Sequence, residues 1–420
     1  MNTINENTMI APRRMLVRLL LAFLAVSPPS PAWAGTNASA GRNVPKQAPV
    51  LLTAARVFDG LALHTDYSVM VADGKVAKIG PSKQIRRSGV KEVNLGDATI
   101  LPGFIEMHAH LVFQKVPRET VLRHGITTAR DVGGALLHPS GGHGSLRLLT
   151  AGPIITAPGG YPITVFGQPG HGHGEIAATV ETPEQARELV RRLAQGGAAI
   201  IKIALEPGGE AGAPWTIGHA PSVAPPWPML SLETVKAIVE EAHTQGKQVA
   251  AHIGEQRGVE LSLAAGVDEW AHVPCTAIPD NLLQQAVRQN VRIVTTLDTL
   301  SHCPDIRENA VKLAKLGARF FYGAEIAHTD IPWGIDAEEL HLMMHFTGMD
   351  ALGLFQTATS KAGKELGLAP LGTLTAGAPA DIIAVKGNPF ANFKLLEYPD
   401  LVMSGGELIV DLFGRHIPER

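Results

Sequence analysis

Between about residues 103 and 368 the chain alternates short apolar, β-type runs with helix-type segments, and this alternation constrains the fold more than any other feature. Eight β-type runs are expected, at 104–110, 127–132, 153–157, 199–205, 248–252, 267–273, 291–297 and 318–325. Helices are expected between several of them, for example 183–195 and 232–245, each following a residue (Thr182, Ser231) able to cap it. Alternating β and α elements at this spacing predict a parallel sheet, and eight strands suit a closed barrel. An open doubly wound sheet is the alternative, but no G-x-G-x-x-G follows a first strand.

Both ends of this region differ in style. Around Asp59-Gly60 and Asp73-Gly74 short β-type runs read as hairpins, and residues 381–385 and 407–410 repeat the pattern near the C-terminus. The predicted fold class is therefore α/β, a (β/α)8 TIM-like barrel at 103–370 with a small β-sandwich domain built from both chain ends, 48–102 and 371–420. Residues 1–34 are set apart. Arg13, Arg14 and Arg18 lead into an apolar stretch too short to span a bilayer, and Ala32-Trp33-Ala34 is a small-x-small cleavage site. They read as a cleaved export signal, with an uncleaved anchor as the alternative; periplasmic or secreted localisation, with no membrane association after signal removal, follows.

A net charge of −3 without a basic cluster excludes a nucleic-acid partner, and two cysteines exclude a disulfide scaffold or a four-thiolate zinc site. Cys275 and Cys303 follow neighbouring strands; a disulfide and two separate thiols both remain open. Residues 206–229 break the alternation with six prolines and four glycines, and in this insertion Trp215, His219 and Trp227 either cover a substrate or pack the loop.

The chemistry gathers at strand ends. His108 and His110 alternate with Met107 and Ala109, so both imidazoles face one side of the first strand, toward the barrel mouth, where they can chelate one metal. Lys202 lies in an otherwise apolar strand. It needs either a carboxylate partner or removal of its charge, which carbamylation by CO2 would achieve. His252 and His272 close the fifth and sixth strands.

The chain resembles the amidohydrolase superfamily, in particular imidazolonepropionase-like and dipeptidase-like metal-dependent hydrolases. The resemblance is carried by residues 55–60, 73–80, 101–110, 124–133, 358–363 and 371–381. It implies that His108 and His110 bind a buried metal and that His252 and His272 bind a more exposed one. Lys202, as a CO2-derived carbamate, bridges both. Two divalent metal ions follow, zinc by donor type with manganese as an alternative, with a metal-bridging hydroxide as nucleophile. Where the superfamily has Gly-Thr-Asp, this chain has Gly323-Ala324-Glu325. Glu325 is the favoured catalytic base and a metal ligand, with Asp330 as the alternative base. The Gly-rich loop bearing His171 and His173 resembles a substrate-steadying loop, and His328 is a further substrate-binding candidate. His138 and His143 read as surface residues.

The expected activity is hydrolysis of an amide C–N bond in a small molecule, such as an N-acyl amino acid or dipeptide. Lactone, ester or phosphotriester hydrolysis, a mononuclear deaminase and an inactive ligand-binding barrel are the alternatives. Homo-oligomerisation is left open.

Overall fold

The computed structural model describes residues 48–85, 88–166, 176–213, 221–328 and 330–414. Its centre is a ring of parallel strands. Phe104–Ala109, Ile126–Asp131 and Arg147–Thr150 pair in that order. Ile154–Thr156 continues the third strand and pairs with Ile201–Ala204, which is followed by Val249–His252, Glu269–Trp270, Arg292–Val294 and Arg319–Phe321. A parallel bridge between Ala109 and Ile326, with the His110 N–H donating to the Ile326 carbonyl at 3.0 Å, returns the ring to the first strand. Each of the eight expected runs thus holds a barrel strand, although the first half of the third strand, Arg147–Thr150, was not foreseen.

The helices follow from capping and amphipathic spacing. Pro183–Gln195 starts after Thr182, whose hydroxyl accepts from the Gln185 N–H, and buries Ala186, Leu189, Val190 and Leu193 on one stripe. Leu232–Thr244 starts in the same way after Ser231, which accepts from the Thr234 N–H.

Both chain ends build two further sheets. One holds Lys75–Pro81, Tyr67–Ala72, Val50–Thr53 and Lys91–Asn94. The other runs Glu407–Asp411, Leu401–Ser404, Ile382–Lys386, Ala98–Pro102, Arg56–Phe58 and Leu63–Thr65, so strands from opposite ends of the sequence are hydrogen-bonded neighbours. Leu52, Val69 and Val76 of the first sheet share one apolar core with Ile100, Ile382 and Met403 of the second.

Cys275 and Cys303 form a disulfide, with Cα atoms 5.1 Å apart. The bond ties the loop after the sixth barrel strand to the loop after the seventh, which resolves the alternative left by the sequence.

Candidate metal centre

Alternation along the first strand sorts its side chains. Ile105 and Met107 pack outward with Phe321, Ala362 and Leu371, whereas Glu106 and His108 turn into the barrel. The buried Glu106 carboxylate accepts from the backbone N–H groups of His108 (2.7 Å) and Ala324 (3.1 Å), coupling the first strand to the end of the eighth. A side chain at Gly323 has no room: a Cβ there would lie 2.4 Å from Val294 Cγ1 and 3.2 Å from the Cβ of His108. The chain then reaches Glu325 with φ at +62°, a left-handed conformation uncommon outside glycine, and this turns the carboxylate toward the histidines.

The imidazoles meet in two pairs. Nε2 of His108 lies 3.3 Å from Nε2 of His110, while Nδ1 of His108 is 2.9 Å from the Ala271 carbonyl, to which it can donate. Nε2 of His272 lies 2.9 Å from Nδ1 of His252, and Nδ1 of His272 is 2.8 Å from Thr296 Oγ1. Glu325 sits between the pairs. Its Oε1 is 3.9 Å from His108 Nε2 and 3.7 Å from His110 Nε2, and its Oε2 is 3.9 Å from His272 Nδ1. These separations exceed a hydrogen bond. His108, His272 and Glu325 alone offer three donor atoms within 4.8 Å of one another.

Protonation states suit ligation. Burial, reinforced by Lys202, pushes the pKa of His108 and of His252 well below the usual imidazole value. Burial does the same for His272 against the pull of Glu325. Burial also lowers Lys202 to about 7 although Glu325 and Glu269 favour its charge. For Glu325 burial acts upward, but His272, His110 and His328 outweigh it and hold the carboxyl at about 2. The Lys202 Nζ and Glu325 Oε2 are buried without a hydrogen-bond partner among the described residues. Such atoms are costly in a folded protein unless something else satisfies them. Ring nitrogens turned toward one another, a buried lysine and an ionised carboxylate form a donor set that fits divalent cations.

His108, His110, Lys202, His252, His272 and Glu325 are therefore brought together. Asp330, the alternative base, is exposed, and no contact joins it to this cluster among the described residues. Asp330 has φ at +71°, in the left-handed region. His328 is half-buried beside Glu325 and donates its backbone N–H to the Glu325 carbonyl at 3.0 Å. His171, His173, Trp215 and His219 lie outside the described residues. Trp227 is buried and stacks with Tyr161 at 6.1 Å, so within the insertion it packs the loop. His138 and His143 are exposed.

Three features were not foreseen. Tyr161, at the end of the third-strand loop, stacks on His252 with ring centroids 4.3 Å apart. A lone tyrosine among glycines and prolines gives no periodic signal. Glu206 and Glu255, both buried, clamp the loops after strands four and five: Glu206 accepts from Gly208 and Gly254, and Glu255 accepts from Gly209 and Glu210. Arg130 pairs with Glu269 inside the barrel, and its Nε donates to the Met107 carbonyl. An Arg-Asp dipeptide at the end of strand two was the available hint.

Residues 99–409 match the model of the Amidohydrolase family. The chain belongs to this family. Its relatives include ochratoxinase of Aspergillus niger, 28% identical over 297 residues, which are 66% of this chain and 58% of the fungal enzyme. The match thus spans well under two thirds of that enzyme's length. Similar solved structures include an amidohydrolase (TM-score 0.71, 21% identity, 87% of this chain and 99% of the other). A Xaa-Pro dipeptidase with bound methionine in its active site is also similar (TM-score 0.67, 21% identity, 86% and 99% covered). At these identities the two structures support the family's barrel fold.

Proposed function

We propose that this chain is an exported, binuclear metal-dependent hydrolase that cleaves an amide bond in a small molecule such as an N-acyl amino acid or a dipeptide. One observation carries the reading: four imidazoles, a buried lysine and a carboxylate from five barrel strands converge at one rim. Family membership and the likeness to ochratoxinase and a Xaa-Pro dipeptidase support the amide bond as the target.

In this reading His108, His110 and Glu325 would hold one cation and His252 and His272 the other, with Lys202, as a CO2-derived carbamate, as a further ligand. Divalent cations bound there, zinc by donor type or manganese, would supply hydroxide at neutral pH and Lewis acidity toward a scissile carbonyl. Glu325 starts the reaction ionised, takes a proton at its carboxylate and returns it to the leaving amine. Tyr161 and Trp227 wall off the His252 side from water. His171, His173 and His328 steady the substrate. The two terminal sheets act as one sandwich domain, 48–102 with 371–420, that supports the barrel at 103–370. Export rests on the leader at 1–34, and the Cys275–Cys303 disulfide fits an oxidising compartment. No helix among the described residues is long and apolar enough to cross a membrane.

The test is a hydrolysis screen of N-acyl amino acids, dipeptides and lactones with zinc-loaded wild type, Glu325→Ala and Asp330→Ala. The expected result is turnover of at least one amide, lowered by about 10²–10⁴-fold in Glu325→Ala and little changed in Asp330→Ala. Turnover of lactones alone overturns the amide assignment, and the reverse ranking of the two variants overturns Glu325 as base.

A further inference from the structure

We propose that Thr296 is a positioning residue for the metal centre: its hydroxyl receives the Nδ1 proton of His272 and so leaves the Nε2 lone pair of that ring facing His252. This inference rests on the metal-centre reading above. Strand seven, Arg292–Val294, lies between the strands that lead to His272 and Glu325, and Thr296 stands just past its end, fully buried. Its φ is +49°. For a β-branched side chain this is a true outlier, of the kind that persists where the surroundings enforce it and that concentrates at functional sites. The backbone is pinned on both sides: the Thr296 N–H donates to the Gly323 carbonyl at 2.9 Å, and its carbonyl accepts from the Leu300 N–H at 3.3 Å.

The geometry assigns the proton. His272 Nε2 and His252 Nδ1 lie 2.9 Å apart, and a cation held by both rings would require both of these nitrogens to be free of protons. A neutral His272 must then carry its proton on Nδ1. Thr296 Oγ1 is the acceptor at 2.8 Å, whereas the Glu325 carboxylate at 3.9 Å is out of hydrogen-bond range. His108 shows the same arrangement with a different acceptor, its Nδ1 lying 2.9 Å from the Ala271 carbonyl while its Nε2 faces His110. His108 is thus oriented by a backbone carbonyl and His272 by a side-chain hydroxyl, which makes His272 the ring that a point substitution can disorder.

Thr296→Val keeps the branched shape and the backbone demand but removes the hydroxyl; Thr296→Ser restores it. Zinc affinity is read by competition with a chromogenic chelator, and the His272 tautomer by 15N NMR of the zinc-loaded wild type. The expected results are an affinity loss of about 10–100-fold for one of two zinc ions in Thr296→Val, near wild-type binding in Thr296→Ser, and the proton of His272 on Nδ1. Equal zinc affinity in folded Thr296→Val, or a proton on Nε2, overturns the proposal. Should Thr296→Val fail to fold, the wild-type tautomer still decides. A wild type that takes up no zinc overturns the metal-centre reading itself, an outcome distinct from a Thr296→Val variant that matches the wild type.

Discussion

The barrel interior and the core shared by the terminal sheets were built to different rules. Leu52, Val57, Val69, Ile100, Ile382 and Met403 fill the second with apolar groups alone. The first buries Glu106, Arg130, Lys202, Glu269 and three imidazoles. Some of these charges are arranged as stability demands: Arg130 and Arg292 both pair with Glu269. Lys202 is not, since its Nζ is buried with no hydrogen-bond partner among the described residues. Burying a charge without a partner costs several kcal/mol, roughly, so a fold selected only for stability would replace it. One region is optimised for packing; the other keeps costly groups where chemistry needs them.

Substitutions can break this contrast, and the largest effect is expected at Lys202. Lys202→Met fills the same space without charge. Hydrolysis should fall by at least about 10²-fold, beyond the usual scale for a partner that only supports a ligand, while the thermal midpoint stays level or rises. A coupled loss of activity and stability would make Lys202 a structural residue. Ile382→Ala should do the reverse: about 2–5 kcal/mol of stability lost in denaturant titrations, with kcat/KM unchanged while the protein remains folded.

The smallest effect concerns proton uptake. Asp336 is buried and caps the helix Ala337–Thr347 through the Glu338 N–H. Burial, with the charge of Asp298, raises its pKa to about 7 from 3.8. A carboxyl raised in the folded state keeps a proton that the unfolded chain releases. Its contribution is therefore fully present below about pH 4 and lost as pH rises toward about 7. Asp336→Asn retains the capping oxygen and should flatten the pH dependence of stability in that window, an effect of roughly a few kcal/mol at most. An unchanged slope would place the titration elsewhere.

The same contrast explains what could be read from the sequence. Strand runs, hairpins and capped helices are local, so their periodicity marks most of the barrel strands and part of each terminal sheet, and H-x-H fixes two imidazoles on one face by alternation alone. His252 and His272 were legible because each closes an apolar run. Tyr161, Thr296 and Glu206 were not, because their roles arise from segments meeting across the barrel mouth, where neighbours in space are 24 to 91 residues apart in the chain. Glu325 and Asp330 likewise differ only in three dimensions: one is buried among histidines and the other exposed.

The claim on which the account stands is that two cations share this rim. Elemental analysis of the purified, zinc-reconstituted protein, alongside Lys202→Met, addresses it directly. The account predicts two zinc ions per wild-type chain and a loss of at least one in the variant. A folded wild type holding one or none, or a variant that still holds two, would contradict it.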